Sequence, residues 1–209
     1  CQFTNAGFSA LSAVSSEPCT PFAESRKGIN LGEGGALVAM SRQASEALLA
    51  YGGAGLTTDA HHLSAPEPEG IQAAEAMHLA LVAADIAPTD VDLVLAHGTG
   101  TPLNDSMEAK AIEAVFGSTT PCASYKALSG HTLAGAGALQ AAIAAALLTD
   151  NPDGVLPPSA GIETTDPALA PAHVLTQTRV LGREIRHIVA NAFAFGGSNA
   201  SAVFSRVSP

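Results

Sequence analysis

The chain alternates short apolar segments of strand length with longer segments of helical periodicity, and this alternation restricts its fold more than any other sequence feature. Residues 70–85 carry apolar side chains at spacings of three and four, as an amphipathic helix does. Residues 104–116 and 131–148 are predicted as two further helices, and residues 91–97 and 121–126 as buried strands between them. This order of elements predicts a layered α/β domain.

The flanking segments extend the same pattern towards both ends of the chain. A short helix is predicted near residues 6–15, a glycine-containing β-type run over 29–41, a strand within 45–62, and two closing strands over 183–195 and 199–207. Gly196 and Gly197 join the closing strands. No internal repeat and no low-complexity linker divides the 209 residues, which are enough to bury one substantial core.

The overall composition excludes several classes of function. A net charge of −10 without any basic run argues against a nucleic-acid surface. The longest apolar stretch, residues 132–148, contains Gln140 and falls short of a membrane span. Three cysteines form no CxxC pair and leave one unpaired in any disulfide scheme. We therefore expect no membrane association and a reducing, cytoplasmic location.

Two predicted strands each end in a polar side chain beside a turn rich in glycine and threonine. His97 ends one strand, Lys126 ends the next, and His131 opens the helix that follows. Residues beyond strand ends collect at the functional edge of α/β sheets, where such groups could donate hydrogen bonds or transfer protons. Each of the three residues also has a purely structural interpretation: His97 as a strand cap, Lys126 as a surface lysine and His131 as a helix-start residue. Because two strand ends show the same arrangement, the functional interpretation is favoured.

Motifs for common cofactors are missing from the sequence. The segment GAGALQ does not complete the GxGxxG pattern of dinucleotide-binding folds, and the dipeptide GK of phosphate loops does not occur. His61 and His62 lie near Asp59, but no HExxH motif or third ligand accompanies them. We expect neither a cofactor nor a metal ion.

Five ordered segments carry a resemblance to a known family. AHGTGTPLNDSMEAKAI (96–112), SYKALSGHTLAGAGAL (124–139) and NAFAFGGSNASAVF (191–204) resemble the C-terminal motifs of the β-ketoacyl-acyl-carrier-protein synthases, which are condensing enzymes of the thiolase-like superfamily. PFAESRKGINLGEGGALV and TTDAHHLSAPEPEG resemble two further segments of that family. The resemblance covers nearly the whole chain. It implies the C-terminal half of a thiolase-like fold, with helices layered on a mixed sheet.

The resemblance also implies a decarboxylative Claisen condensation of an acyl thioester with a malonyl thioester. Carried over position by position, His97 and His131 match the catalytic histidines and Lys126 the active-site lysine. Phe195 and Gly196 match the loop beside the oxyanion hole and acyl pocket. Asp105 and Glu108 match buried carboxylates near the lysine, and the remaining supporting residues are Thr99, Thr101 and Asn191. Gln140 stands where many relatives have a glutamate, which would remove one charge partner of Lys126.

The family's nucleophilic cysteine has no counterpart in this sequence. The surroundings of Cys1, Cys19 and Cys122 do not resemble the strand–helix turn that carries it. We therefore expect residues 1–45 to be the end of a synthase N-terminal half, residues 46–209 to be the C-terminal domain, and the natural protein to extend upstream. The chain alone is expected to be an inactive part of an acyltransferase.

Two other functions are compatible with the same residues. A non-catalytic partner subunit, such as a chain-length factor, would also lack the nucleophile. A thiolase-type, non-decarboxylative enzyme agrees less well, because thiolases generally place a cysteine where this sequence has His131 or Phe195. The expected partners are an acyl carrier protein and a second synthase subunit, in a homodimer or a heterodimer.

Overall fold

The computed structural model describes residues 1–42 and 47–207. Its regular elements, in chain order, are α1 (Gln2–Ala10), β1 (Ala50–Thr58), α2 (Ile71–Ala84), β2 (Leu93–Leu95), α3 (Pro102–Phe116), β3 (Pro121–Ala123), α4 (Lys126–Ser129), α5 (Ala136–Leu148), β4 (Val155–Leu156), β5 (His173–Val174), β6 (Arg179–Val180), β7 (His187–Ala194) and β8 (Ser198–Ser205). The predicted alternation of strands and helices is therefore present.

Six of the strands form one mixed sheet in the order β1-β8-β7-β2-β3-β5. The central strand β2 runs parallel to both β7 and β3, and β3 runs parallel to β5. The hairpin β7–β8 and the outer pair β1–β8 are antiparallel. Because β2 and β3 are parallel neighbours, the segments that follow them, which contain His97 and Lys126, leave the sheet at the same edge.

Helices cover both faces of this sheet. Side chains of α2 and α3 form one hydrophobic cluster with Val94, Val189 and Val203. Side chains of α5 form a second cluster with Leu95 and Ile188 on the opposite face. Successive strand residues point to opposite faces, so β2 and β7 contribute apolar side chains to both clusters. The predicted α/β class, with helices layered on a mixed sheet, is confirmed.

Two of the predicted boundaries are wrong in detail around the polar segment after β3. The strand predicted over 121–126 ends at Ala123, and Lys126 begins the short helix α4. The helix predicted from residue 131 begins regularly only at Ala136, after a 3₁₀ turn over Leu133–Gly135. Leu133 has a φ of 54°, in the left-handed region, so a right-handed helix cannot run through it.

The β-type run predicted over residues 29–41 is also wrong as a strand. Ile29 and Leu31 form isolated bridges to Val14 and His131, and no regular strand follows them up to residue 42. Glycines at positions 32, 34 and 35 weaken a strand, since they add backbone entropy and no packing side chain. The predicted domain boundary between residues 45 and 46 lies outside the described residues.

The helix at the start of the chain lies at Gln2–Ala10, earlier than its predicted range, and none of its residues is buried. In the described part of the chain, no helix has both the length and the apolar character that crossing a bilayer requires.

Candidate active site

The turn after β2, residues 97–101, forms the centre of the candidate site and is named the histidine loop. His97 and Thr99 in this loop are almost fully buried. Gly98 has a φ of 39°, and a Cβ atom there would lie 2.4 Å from the Cβ of Ser124. Glycine is therefore required at this position, because both the backbone conformation and the space exclude a side chain.

Two fully buried carboxylates of α3 hold the backbone N–H groups of the histidine loop. Glu108 accepts hydrogen bonds from the amides of His97 and Gly98, both at 2.7 Å. Asp105 accepts one from the amide of Gly100 at 3.1 Å. Charge-assisted hydrogen bonds of this kind are shorter and stronger than neutral ones. Side chains in the first two turns of α3 therefore fix the backbone of the histidine loop.

Four donors hold the carbonyl groups of the same loop. Lys126 donates from Nζ to the carbonyl oxygen of His97. The remaining three bonds run from Ser124 Oγ to Gly98 at 2.7 Å, from Cys19 Sγ to Thr99 at 3.1 Å, and from the Gly28 amide to Gly100 at 2.9 Å. Every carbonyl from residue 97 to residue 100 thus has a partner. Such complete pairing is what a buried irregular turn requires.

The two predicted catalytic histidines lie edge to face, although 34 positions separate them in the chain. Their ring centroids are 5.2 Å apart, with the ring planes at 80°. His131 reaches this position because its amide donates to the carbonyl of Asn30 at 2.7 Å, and the amide of Gly32 donates to the carbonyl of His131 at 3.1 Å. Residues 30–32 therefore anchor the second histidine beside the first.

Contacts at Nδ1 indicate the same tautomer for both imidazoles. The amide of Leu133 donates to Nδ1 of His131 at 3.1 Å. Nζ of Lys126 lies 3.4 Å from Nδ1 of His97, where an ammonium group can only donate. An Nδ1 atom that accepts leaves the proton of a neutral imidazole on Nε2. Both rings therefore present an Nε2–H group as a donor.

Electrostatics keep these imidazoles neutral. Burial and the charge of Lys126 lower the pKa of His131 to about 4. Burial is also the main cause of a His97 pKa well below its ordinary value, and the charges of Lys126 and His131 add to it. A buried site penalises the charged form of a histidine, and a neighbouring cation does the same. At neutral pH the pair acts through N–H groups and not through imidazolium charge.

Lys126 is itself buried, and burial lowers its pKa to about 8. The charges of Glu108 and Asp105 act in the opposite direction and favour the ammonium form. No ion pair among the described residues includes Lys126, so the predicted pairing of lysine and carboxylates takes an indirect form. The carboxylates contact backbone amides and influence the lysine through space.

The other supporting residues lie in the same network. Asn191 on β7 donates from Nδ2 to Glu108 Oε1 at 3.1 Å and accepts a bond from Ser201 Oγ at 2.8 Å. Thr99 and Thr101 share a hydrogen bond between their hydroxyl oxygens at 2.9 Å. The chain thus brings together all the predicted supporting residues within or next to the histidine loop.

The loop predicted to lie beside the oxyanion hole and the acyl pocket has different surroundings. The turn 195–197, named the phenylalanine loop, joins β7 to β8, and the side chain of Phe195 is 51% exposed. Its ring stacks on Phe8 of α1, with centroids 5.7 Å apart. The amide of Gly196 donates to the carbonyl of Leu63 at 2.7 Å. Among the described residues, no ring contact or hydrogen bond joins Phe195 to either imidazole.

Three contacts to the site were not predicted from the sequence. The ring of Phe193 lies 5.6 Å from that of His97. Ser124 holds the histidine loop, and the amide of Gln140 donates to the carbonyl of Ala96 at 3.1 Å, so Gln140 supports the end of β2. The period-2 alternation of β7 could have indicated Phe193, because it shares a face with Asn191. No local signal identifies Ser124, and the sequence indicated Gln140 only as a replacement for a glutamate, without its contact to Ala96.

The two buried cysteines, Cys19 and Cys122, lack the environment of a nucleophile. Burial raises the pKa of the Cys19 thiol to about 11 and also raises that of Cys122. Cys1 is exposed at the N-cap of α1, and its Sγ atom lies 3.3 Å from Oγ1 of Thr4. Reactive cysteines have a lowered pKa in an electropositive, partly exposed setting. Within the described residues, no group of three or more His, Cys, Asp or Glu side chains is placed to bind a metal ion.

Comparison with known proteins places this site in a family. Residues 50–163 match the model of the beta-ketoacyl synthase, C-terminal domain. The chain is 37% identical to 3-oxoacyl-[acyl-carrier-protein] synthase 2 of Staphylococcus aureus (strain COL), over 96% of this chain and 51% of that protein. The chain thus spans about half the length of the curated relatives it matches.

Solved structures agree with this assignment. A ketosynthase in complex with its chain length factor from Xenorhabdus doucetiae superposes with a TM-score of 0.85 and 37% identity, over 96% of this chain and 49% of that one. A β-ketoacyl synthase from Burkholderia phymatum STM815 superposes with a TM-score of 0.85 and 29% identity, over 100% of this chain and 52% of that one. The chain therefore belongs to the β-ketoacyl synthase family, and it corresponds to the C-terminal half of the ketosynthase fold.

Proposed function

We propose that this chain is the C-terminal half of a 3-oxoacyl-[acyl-carrier-protein] synthase and that it supplies the groups which promote the decarboxylative condensation. The observation that carries this proposal is the pair of neutral imidazoles, 5.2 Å apart, whose Nδ1 atoms are both occupied. Two Nε2–H donors can then address one substrate oxygen. The catalytic residues are His97, His131 and Lys126.

The two Nε2–H groups promote the reaction by donating hydrogen bonds to the substrate. The thioester carbonyl oxygen of a malonyl group accepts hydrogen bonds from both Nε2–H groups. The bond to the carboxylate breaks, CO₂ leaves, and its electron pair forms an enolate whose oxygen the two donors stabilise. The enolate carbon then attacks an enzyme-bound acyl thioester, and the thiolate leaves. A preorganised donor to such an oxyanion contributes roughly 3–4 kcal/mol.

Lys126 positions His97 and controls its charge. Its ammonium group addresses both the carbonyl oxygen and Nδ1 of His97, which fixes the ring and its tautomer. Its positive charge also disfavours protonation of either histidine. A neutral imidazole retains its N–H donor without transferring a proton prematurely to the enolate.

The acyl group is carried by a thiolate outside this chain, because Cys19 and Cys122 are buried with raised pKa values and the residues around Cys1 do not resemble the family's nucleophile turn. Residues 1–45 then complete the N-terminal half of the synthase, and residues 46–209 form its C-terminal domain. The 209 residues alone do not condense substrates. Acyl carrier protein delivers both thioesters in the cytoplasm, where the synthase forms a dimer with an identical or related subunit. The name of the S. aureus relative, which specifies the carrier, supports this partner.

The proposal is tested with the complete reading frame that encodes this chain. The protein is supplied with acyl- and malonyl-carrier protein, and the 3-oxoacyl product and CO₂ are measured. We expect His131→Ala to reduce condensation by about 10²–10³-fold, the effect of removing one oxyanion donor. His78→Ala, a matched change at an exposed position of α2, should leave the rate unchanged. An unchanged rate in His131→Ala would show that the proposed mechanism is wrong.

A second candidate is a chain-length-factor-like subunit that assists an active synthase. Two observations favour it: the unsuitable cysteines, and a similar structure that is a ketosynthase in complex with its chain length factor. This candidate predicts that the reading frame encodes no nucleophilic cysteine. It also predicts condensation only after an active ketosynthase is added, at a rate that His131→Ala does not change.

A further inference from the structure

Phe22 has the most unusual backbone conformation near the histidine loop. Its side chain is fully buried, and its φ is 65°, in the left-handed region. Bulky residues other than glycine rarely adopt this conformation, and when they do, the surrounding structure must hold them there. The contacts of Phe22 therefore indicate the role of this backbone conformation.

The backbone of Phe22 shares a carboxylate with the histidine loop. Its amide donates to Asp105 Oδ2 at 2.7 Å, while Asp105 Oδ1 accepts the amide of Gly100 at 3.1 Å. On the other side, the carbonyl oxygen of Phe22 accepts the amide of Asp166 at 2.8 Å. Asp166 is anchored by a largely buried ion pair with Arg26, at 2.5 Å. Both peptide groups of Phe22 are thus fixed.

The ring of Phe22 is directed at the residue that follows His97. A Cβ atom at Gly98 would lie 3.0 Å from Cε2 of Phe22, so the ring edge lies directly against the backbone of Gly98. Ser124 lies on the same side of Gly98, with its Cβ 2.4 Å from that Cβ position. The aromatic ring and the hydrogen-bonded serine therefore fill the space beside the Cα of Gly98, and the ring of Phe22 restricts the adjacent peptide group.

We propose that Phe22 is a positioning residue for His97. Its left-handed backbone joins the Asp105 carboxylate to the Arg26–Asp166 ion pair, and this places the ring against Gly98. The histidine loop can then present Nδ1 of His97 to Lys126. The catalytic meaning of this role rests on the proposed function, whereas the geometric role does not, since it concerns only contacts within the chain.

The test measures the imidazoles directly, without turnover. The 209-residue chain is labelled with ¹⁵N-histidine, and long-range ¹H–¹⁵N spectra report the tautomer of each ring. In the unmodified chain, we expect His97 and His131 each to show the Nε2–H tautomer only. In Phe22→Ala, we expect His97 to show a second tautomer and His131 to stay unchanged, because Leu133 holds its Nδ1 independently.

A matched variant separates positioning from general loss of packing. Phe116 is a buried phenylalanine of the same hydrophobic cluster, at the end of α3 and away from Gly98. Phe116→Ala should leave the tautomers of both histidines unchanged. If Phe22→Ala does not fold, Phe22→Leu serves instead, because leucine fills most of the volume but lacks the ring edge at Gly98.

The outcomes distinguish this proposal from the proposed function. A second His97 tautomer in the Phe22 variant alone supports positioning, whether or not the complete synthase condenses substrates. Unchanged His97 signals in the folded Phe22 variant overturn it, as do equal changes in the Phe116 variant or in His131. If the complete synthase does not condense substrates, but His97 shows a second tautomer in the Phe22 variant, the proposed function is rejected and the positioning role is retained.

Discussion

The histidine loop and the phenylalanine loop both belong to the candidate site, but they are built in opposite ways. Residues 97–100 have a partner for every backbone carbonyl, and two buried carboxylates hold their amides. The ring of Phe195, by contrast, is half exposed and contacts Phe8 on a helix without any buried residue.

This difference corresponds to two physical requirements of the proposed reaction. Donors that stabilise an oxyanion are most effective when they are oriented before the reaction, because they then need no reorganisation. A loop that admits a substrate must open at a small free-energy cost, and loops with few buried contacts do so. The contrast makes four predictions, arranged here from the largest expected effect to the smallest.

Removal of Glu108 should cause the largest loss of stability. Glu108→Ala leaves the amides of His97 and Gly98 and the Nδ2 group of Asn191 without their acceptor in a fully buried site. We expect the free energy of unfolding to fall by about 3–5 kcal/mol, as for other broken buried networks. Urea denaturation measures this change.

Glu113→Ala is the matched control for that experiment. It removes the same side chain from an exposed position of the same helix, where substitutions usually change stability by less than about 0.5 kcal/mol. Equal losses in the two variants would contradict the view that the carboxylate of Glu108 holds the histidine loop.

Acidification should destabilise the chain through His131. The pKa of this group is about 4 when folded, against an ordinary value of 6.5. Between these values the unfolded chain binds a proton that the folded chain does not, so stability decreases as the pH falls from 6.5 towards 4. This contribution is about 3.4 kcal/mol at most.

The pH dependence can be assigned to His131 by substitution. In His131→Asn, the side-chain oxygen can still accept the amide of Leu133, but the group no longer titrates. Denaturation curves measured at several pH values should therefore be flatter for the variant. Identical slopes for the two proteins would mean that His131 is not held neutral by its surroundings.

Replacement of Lys126 should change the pKa of the neighbouring histidine more than the stability of the fold. Lys126→Met removes the donor to the carbonyl and Nδ1 of His97, which should lower stability by about 1–3 kcal/mol. Because the charge of Lys126 lowers the pKa of His131, we expect that pKa to rise in the variant. An NMR titration of the imidazole signals measures the shift, and an unchanged value would refute the electrostatic role.

The phenylalanine loop should give the smallest effect. The stacked rings of Phe8 and Phe195 are expected to interact by about 0.5–1.5 kcal/mol, since such pairs contribute little beyond their buried area. A double-mutant cycle with Phe8→Ala and Phe195→Ala measures this coupling energy. A coupling as large as the effect of Glu108→Ala would remove the contrast between the two loops.

Much of the candidate site follows from local sequence pattern. His97 and Lys126 follow two buried apolar runs, and parallel strands end at one edge of a sheet, so their proximity could be expected. The boundaries near His131 could not, because backbone hydrogen bonds to Asn30 and Gly32, which are distant in sequence, hold His131, and because Leu133 has a positive φ. Phe22 was not identified either, since no local pattern predicts an aromatic residue in the left-handed region.

The sequence alone therefore determined the order of strands and helices, the layered α/β class and the candidate site residues. These properties depend on periodicity and residue type within short segments. Only the tertiary structure decided that both Nδ1 atoms are occupied, that Asp105 and Glu108 hold backbone amides without pairing directly with Lys126, and that Phe195 stacks on Phe8. Each of these contacts joins groups from different segments, and their geometry arises when the helices pack on the sheet.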